Sequence, residues 1–192
     1  MPLYRKIRGD GNCFYRAVII IYLDLLFFND DCSYNDLTKK KIRDSKIYAF
    51  LKKTKEIKFL DFEDNDNRRE FTEIFKEIDK MRNLILINIS KLFLRKLLLQ
   101  KENKELWFKE WQKYFINSIN TNPEFDIALV LLLRSMIFDN LRTNNEKFKD
   151  FIIDIEGIKK ILQTYGLEAE DMIVPLSSIA MEVKIFKLNI KN

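Results

Sequence analysis

The chain has 192 residues, of which 47% are hydrophobic and 33% are charged. This balance is typical of a globular protein with a buried core, and it excludes an intrinsically disordered chain. The net charge of +5 comes from lysines spread along the whole sequence, as in 38–41 and 51–58, which we interpret as solvated helix faces. Nucleic acid is therefore not a predicted partner.

The two longest apolar runs lie at 17–28 and 127–133. Each is shorter than the roughly 18–20 residues that a helix needs to span a bilayer. No small-residue cleavage site follows the first run, so it does not fit a signal peptide. We therefore expect an intracellular protein without a membrane partner, located in the cytoplasm, with the nucleus as a further compartment.

The first chemical signal along the chain is the stretch GDGNC at residues 9–13. The chain has four glycines, and two of them lie within three positions here. Glycine is favoured where the backbone takes a positive φ or passes close to another group, so this spacing predicts a tight turn. The dense apolar run that follows predicts a helix over 13–28, with Cys13 at its start.

A cysteine at a helix start is a candidate nucleophile, because unpaired backbone N–H groups and the helix dipole favour an anion there. The same N–H groups could hold the negatively charged oxygen of a reaction intermediate. The alternative for Cys13 is a small buried cysteine at a turn. Cys32 has no such setting and is interpreted as structural, and two cysteines are too few for a disulfide framework. The sequence predicts no metal site and no cofactor.

Apolar residues at helical spacing predict further helices along most of the chain. These helices cover 34–53, 67–100 as one long helix or two abutting ones, 104–118, 123–142, about 145–152 and 156–165. Asn35 or Asp36 is the predicted cap of the first of them. Asn122 as cap and Pro123 at the first helical position are a strong start for the helix over 123–142.

The last part of the chain changes character. Gly166 fits the C-cap of the helix before it, and Asp171 is predicted to cap a short helix over 172–180. The alternation of apolar and polar residues over 182–190 predicts a strand. A strand needs hydrogen-bonded partners, and residues 3–8 are a candidate for one of them.

Three segments resemble the otubains, the ovarian-tumour (OTU) class of cysteine deubiquitinases. YRKIRGDGNCFYRA at 4–17 resembles the segment that carries the catalytic cysteine of that family, over a motif too long for a chance match. Residues 124–152 are similar to the family's long helix and the short helix after it, and 170–188 to the helix and strand that follow. The middle of the chain, about 30–120, agrees in helical character only.

The resemblance implies an α/β papain-like cysteine-protease fold of the OTU type, as one domain over 1–192, mostly helical with a small, incomplete β-sheet. It implies a ubiquitin thioesterase that hydrolyses isopeptide bonds at the C-terminal glycine of ubiquitin or polyubiquitin, without a cofactor. Cys13 matches the nucleophile, and Asp10 matches the motif aspartate that is counted with the active site. Gly11, Asn12 and the amide of Cys13 match the loop that forms the oxyanion hole.

The sequence contains no histidine. In the family that the chain resembles, a histidine on a strand near the end of the domain is the general base, and no residue here matches it. Three interpretations stay open: a deubiquitinase whose sequence continues past Asn192 with at least two strands and a histidine, a pseudoenzyme that binds ubiquitin or a ubiquitin-conjugating enzyme, and a helical protein with a fortuitous motif. Linkage preference, acceptor proteins and oligomeric state leave no pattern in the sequence.

Overall fold

The fold is known from a computed structural model that describes residues 9–28, 37–64, 77–102, 107–148, 152 and 154–185. These residues form the following helices and short strands: α1 (Cys13–Phe28), α2 (Leu37–Glu56), β1 (Glu63–Asp64), α3 (Ile78–Glu102), α4 (Trp107–Asn120), α5 (Pro123–Thr143), α6 (Asn145–Phe148), α7 (Ile155–Gln163), β2 (Thr164–Tyr165) and α8 (Ile173–Met181). Over the described ranges the chain is mostly helical, as predicted, and it divides into two compact units.

Two helix starts confirm their sequence signals. α1 begins at Cys13, directly after the glycine-containing loop. At α5, the Oδ1 atom of Asn122 accepts a hydrogen bond of 3.0 Å from the backbone N–H of Phe125, and Pro123 is the first helical residue. The cap satisfies a backbone donor that the first helical turn leaves unpaired, and a proline at the first position gives up no helical bond.

One compact unit comprises the described parts of 1–22, 57–75 and 130–192. It contains the parallel pair of strands β1 and β2, in which Glu63 lies beside Thr164 and Asp64 beside Tyr165. The sequence analysis did not predict this pair. Strands of two residues have no alternation to detect, and their hydrogen bonds join segments about 100 positions apart along the chain.

The segment that leads into β1 is held to the same unit by side-chain hydrogen bonds. The backbone N–H of Leu60 donates to Ser135 Oγ on α5 at 3.2 Å, and both residues are buried. Gln163 Nε2, at the end of α7, donates to the backbone carbonyl of Asp61 at 3.1 Å. These contacts fix the position of β1 relative to α5 and α7.

The second unit comprises the described parts of 23–56 and 76–129, and in it α3 packs against both α2 and α4. Its core contains an aromatic cluster around Trp111, which is fully buried. The Trp111 ring lies 5.0 Å from the ring of Phe27 and is stacked 5.0 Å from that of Phe115. Its Nε1 donates a hydrogen bond of 3.1 Å to the backbone carbonyl of Leu92. The indole ring therefore packs against other aromatic rings, and its N–H group has a hydrogen-bond acceptor.

Two predicted caps in the C-terminal part are wrong. α7 ends at Gln163, because the next two residues leave the helix to pair with β1, so its C-cap is Thr164 in extended conformation. Gly166 has a φ of 85° but lies in the turn after β2. α8 begins after its N-cap residue Met172, which has no side-chain capping bond, and the backbone carbonyl of Asp171 accepts from the N–H of Val174 at 3.3 Å.

The predicted strand over 182–190 is not formed in its described part. Glu182 is the C-cap of α8 with a left-handed φ of 55°. The backbone N–H of Val183 donates to the carbonyl of Ser178 at 3.0 Å, which turns the chain back over the helix end. This turn satisfies carbonyl groups at the end of the helix, so it forms in place of the strand that the alternation over 182–185 predicts. Residues 186–190 lie outside the described residues.

Several other predictions fall outside the described residues. They are the cap at Asn35 or Asp36, the partner strand at 3–8, the helical pattern over 67–76 and the setting of Cys32. The remainder of the long helical pattern forms α3 as a single helix. The assignment of 1–192 to one domain stays a prediction.

Candidate active site

Cys13 stands at the exposed N-terminus of α1 as a free thiol. The first helical hydrogen bond after the loop runs from the N–H of Arg16 to the carbonyl of Asn12, at 2.9 Å. Within the described ranges, the backbone N–H groups of Gly11 and Cys13 have no hydrogen-bond acceptor. The loop therefore places an accessible thiol beside unpaired backbone donors at a helix N-terminus.

The carboxylate of Asp10 faces the loop and the first turn of α1. Arg16 holds it with two bonds, from Nη1 to Oδ1 at 3.0 Å and from Nη2 to Oδ2 at 2.8 Å. The backbone N–H of Asn12 donates to the same Oδ1 at 3.1 Å. Burial on its own raises the pKa of Asp10, but the hydrogen bonds and charge of Arg16, with the Asn12 N–H, hold this pKa below its ordinary value. Asp10 is therefore ionised, and its carboxylate stabilises the conformation of the loop.

Gly11 meets both conditions that favour glycine. Its φ is 75°, in the left-handed region, and it passes directly against the backbone of Gly166, whose φ is 85°. A Cβ atom at position 11 would overlap the carbonyl group of Gly166. Gly9, by contrast, has no positive φ, and no atom of the described residues lies within 4 Å of where its Cβ would be. Gly11 is therefore the glycine of the motif that the described part of the fold requires.

The side chain of Asn12 is completely buried and all its hydrogen bonds are internal. Its Nδ2 donates to the carbonyl of Asp10 at 3.3 Å. Its Oδ1 accepts from Arg134 Nη2 at 2.8 Å and from the backbone N–H of Gly166 at 3.3 Å. One amide thus joins the loop before α1, the middle of α5 and the turn after β2.

Arg134 belongs to this site, although no motif in the sequence predicts it. It is fully buried on α5, where every residue from 125 to 137 is buried. Besides Asn12, it donates from Nη1 to Ile161 O at 2.7 Å and from Nη2 to Leu167 O at 2.8 Å. One feature of the sequence could have indicated its role, namely a single charged residue in a long apolar run. A charged side chain on a helix that is buried on all sides must have hydrogen-bond partners inside the protein.

Neutral groups contact the charge of Arg134 directly, and the carboxylate of Asp10 favours this charge electrostatically. In the part of the chain that the structure describes, no acidic side chain forms an ion pair with it, and carbonyl oxygens and an aromatic ring surround it instead. Its Cζ lies 3.7 Å from the centre of the Tyr15 ring, a cation–π contact. Burial lowers the pKa of the guanidinium, and the electrostatic effect of Tyr15 opposes this shift. The group remains a cation that is fixed in place by its neighbours.

The comparisons with known proteins add one finding. The sequence model of the family described as Peptidase C65 Otubain matches residues 2–94. This part of the chain is otubain-like. No curated protein and no solved structure matches the chain. The otubain-like residues include Asp10, Gly11, Asn12 and Cys13, so the candidate site loop lies inside the matched segment.

The matched family is one of deubiquitinase-like cysteine peptidases, and the substrate that this family implies is ubiquitin. The matched segment ends within α3. Arg134 and Gly166 therefore lie outside it, and the similarity of 124–152 and 170–188 to otubains stays a prediction. None of the helices in the described ranges is long and apolar enough to cross a membrane. The same ranges hold no group of three or more His, Cys, Asp or Glu residues that could bind a metal ion.

Replacing Asp10 with asparagine is expected to reduce the free energy of unfolding at neutral pH by about 1–3 kcal/mol, because bonds to a charged group are lost. The pKa of Asp10 in the folded protein lies below its ordinary value of 3.8. Its contribution is therefore present above pH 3.8 and is lost as the pH falls further, through the folded pKa. The difference between the two proteins should shrink only in that acidic range. Urea titrations across this range measure it.

Asp139 is the matched control, because it forms an ion pair with Arg142 at 3.1 Å on the exposed surface of α5. Exposed pairs of this kind contribute little, so Asp139→Asn should change the unfolding free energy by less than about 1 kcal/mol. A constant difference between wild type and Asp10→Asn down to the most acidic sample would show that the Asp10 carboxylate is not the stabilising group.

Proposed function

We propose that this chain is an otubain-like ubiquitin hydrolase of papain-like OTU fold, in which Cys13 is the nucleophile. The substrate is the isopeptide bond between the C-terminal glycine of ubiquitin and a lysine of a protein or of another ubiquitin, inside the cell. The observation that carries the proposal is the exposed Cys13 at the start of α1, behind a glycine-constrained loop, within the segment that matches the otubain family.

The first chemical step follows from the loop. Cys13, as the thiolate, adds through Sγ to the carbonyl carbon of the ubiquitin C-terminus: the C–S bond forms, the C=O π bond breaks, and its electrons move to the oxygen as a negative charge. Donors that are already oriented toward this oxygen stabilise the tetrahedral species. The backbone N–H groups of Gly11 and Cys13 are the loop donors for this role, because the N–H of Asn12 is bonded to Asp10. Asp10 supports the step by holding the loop.

The second step needs a proton for the leaving amine, and histidine supplies it in thiol peptidases of this kind. In this step the C–N bond breaks, the amine takes the proton and the acyl group stays on Cys13 as a thioester. No histidine occurs in the 192 residues. These residues should therefore form the tetrahedral adduct without efficient turnover, since loss of an acid–base catalyst lowers the rate by about 10²–10⁴-fold. The same observation favours a second candidate function, a pseudoenzyme that binds ubiquitin or a ubiquitin-conjugating enzyme without cleaving.

Labelling with ubiquitin that carries a C-terminal alkyne tests the proposed function. The thiol adds across the triple bond, with sulfur on one carbon and the proton on the other, so no acid–base catalyst has to protonate a leaving group. Wild type should form a covalent adduct 1:1 with the probe. Cys13→Ala should form none, and Cys32→Ala should react like wild type. Intact-mass measurement identifies the adduct, and peptide mapping locates it.

Each result separates the candidates. An adduct on Cys32 would refute the assignment of the nucleophile. Binding of unmodified ubiquitin without any adduct would favour the pseudoenzyme, and the lack of both would refute ubiquitin as the ligand. Rapid cleavage of ubiquitin chains by the 192-residue protein would show that a group other than histidine protonates the leaving amine.

A further inference from the structure

We propose that Arg134 is a positioning residue for the Cys13 site, which acts through the buried amide of Asn12. The inference rests on the proposed function, in which the loop before α1 receives the oxygen of the ubiquitin carbonyl. Arg134 does not contact the thiol. Its role is to set the orientation of Asn12, and thereby of the backbone donors on either side of Asn12.

The contacts of Asn12 permit one orientation of its amide. Arg134 Nη2 and the N–H of Gly166 are both donors, so the atom between them must be the oxygen, Oδ1. The amide nitrogen is then directed to the carbonyl of Asp10, to which it donates at 3.3 Å. This bond closes the loop over Gly11. Without a donor at Arg134, the amide of Asn12 loses its shortest hydrogen bond, at 2.8 Å, and its orientation is no longer fixed.

Arg134 is suited to this role because it is itself fixed from several sides. Ile161 O and Leu167 O accept from it at 2.7 and 2.8 Å, and the ring of Tyr15 lies against its face. The planar fork of donors reaches the end of α7 and the turn after β2 at once. Lysine carries the same charge on a compact ammonium group and cannot reproduce the fork. Arg134→Lys therefore removes the geometry while keeping the charge.

Two ubiquitin probes distinguish positioning from stability. In ubiquitin with a C-terminal aldehyde, the thiol S–H adds across the C=O bond: the C–S bond forms, the π bond breaks and the proton ends on the oxygen. In the proposed function, the backbone N–H groups of Gly11 and Cys13 donate hydrogen bonds to that oxygen. The alkyne probe places no oxygen there. A misplaced loop should therefore weaken the aldehyde adduct selectively, while a partly unfolded protein should lose both reactions together.

For Arg134→Lys we expect affinity for the aldehyde to fall about 100-fold, the effect of a displacement on the order of 1 Å at a reacting centre. Alkyne labelling and alkylation of Cys13 by iodoacetamide should stay close to the wild-type rates. Arg134→Met should lose more of the aldehyde affinity, and the lysine variant decides the question if the methionine variant does not fold.

Ser135→Ala is the matched control, because it removes a buried hydrogen bond, to Leu60 N–H, from the neighbouring position of α5. It should leave the ratio of the two ubiquitin reactions unchanged. An equal loss of both reactions in Arg134→Lys, or the same selective loss in Ser135→Ala, would overturn the proposal, since either result would reduce Arg134 to a stabilising residue.

A measurement without ubiquitin keeps this inference separate from the proposed function. In ¹⁵N-labelled protein, Arg134→Lys should shift the amide resonances of Gly11, Asn12 and Gly166, and Ser135→Ala should not. If wild type reacts with neither ubiquitin probe, the proposed function fails while these shifts still support the role of Arg134 in orienting the loop. Unchanged resonances of all three residues in Arg134→Lys would overturn that role, whatever the ubiquitin results.

Discussion

Replacing Gly11 with alanine is expected to lower the free energy of unfolding by about 2–5 kcal/mol, the sum of a left-handed backbone penalty and of overpacking. The φ of 75° disfavours any side chain, and the new Cβ would overlap the Gly166 carbonyl. Relief of that overlap must separate the loop from the turn after β2. The N–H of Gly166 would then lose its bond to Asn12, so labelling of Cys13 by the ubiquitin aldehyde should also fall.

Gly9→Ala is the control for this prediction, since Gly9 has no positive φ and, among the described residues, no atom lies within 4 Å of the new Cβ. Its unfolding free energy should stay within about 0.5 kcal/mol of wild type, as for most surface substitutions. Urea denaturation followed by circular dichroism gives both values, and mass spectrometry gives the labelling. Equal stability of the two variants would contradict the close approach of Gly11 to Gly166.

Replacing Trp111 with alanine should destabilise the unit that contains α2, α3 and α4 by about 3–5 kcal/mol, which is typical of removing a large buried aromatic. The ring is fully buried and packs against Phe27 and Phe115, so its removal leaves a cavity in the core. Because the chain has two compact units, this loss should appear as an earlier transition of one part of the helical signal.

Trp111→Phe separates packing from hydrogen bonding in that cluster. It keeps an aromatic ring but removes the bond from Nε1 to Leu92 O, so it should lose less than the alanine variant. A single buried hydrogen bond contributes about 1 kcal/mol, to which the smaller ring volume adds. Thermal and urea unfolding of both variants test the order. If the phenylalanine variant were as unstable as the alanine variant, the hydrogen bond would be the dominant contribution.

The predictable part of the fold is local. Cys13 at the start of α1 and the Asn122 and Pro123 start of α5 depend on neighbouring residues, and the structure confirms them. The pairing of β1 with β2 and the early end of α7 depend on contacts with a distant segment, which override the local preference for a longer helix. At Glu182 the competition is local, because hydrogen bonds to the carbonyls of Ser178 and Ile179 close a helix-terminal turn where the alternation predicts a strand.

The site shows the same division. The motif predicts that Gly11 needs an unusual backbone, but it does not reveal which group makes the close approach. The partner is Gly166, which local reasoning assigned to a helix cap. Arg134 is a clearer example of what the sequence cannot predict. A lone arginine in an apolar run indicates that its side chain has an internal hydrogen-bond partner, but it does not indicate which residue that partner is. Its match to Asn12 depends on the packing of α5 beneath the loop, which no local pattern encodes.

The separation between these partners along the chain has a consequence during protein synthesis. Asn12 is 122 residues before Arg134 and 154 residues before Gly166. At about 5–20 residues per second, roughly 8–30 s pass between synthesis of Asn12 and of Gly166. Through that interval the nascent chain carries Cys13 without the residues that shape its loop. The bonds that hold the Cys13 loop can therefore form only after translation has passed the turn that follows β2, and a product released earlier contains the thiol without the residues that hold its loop.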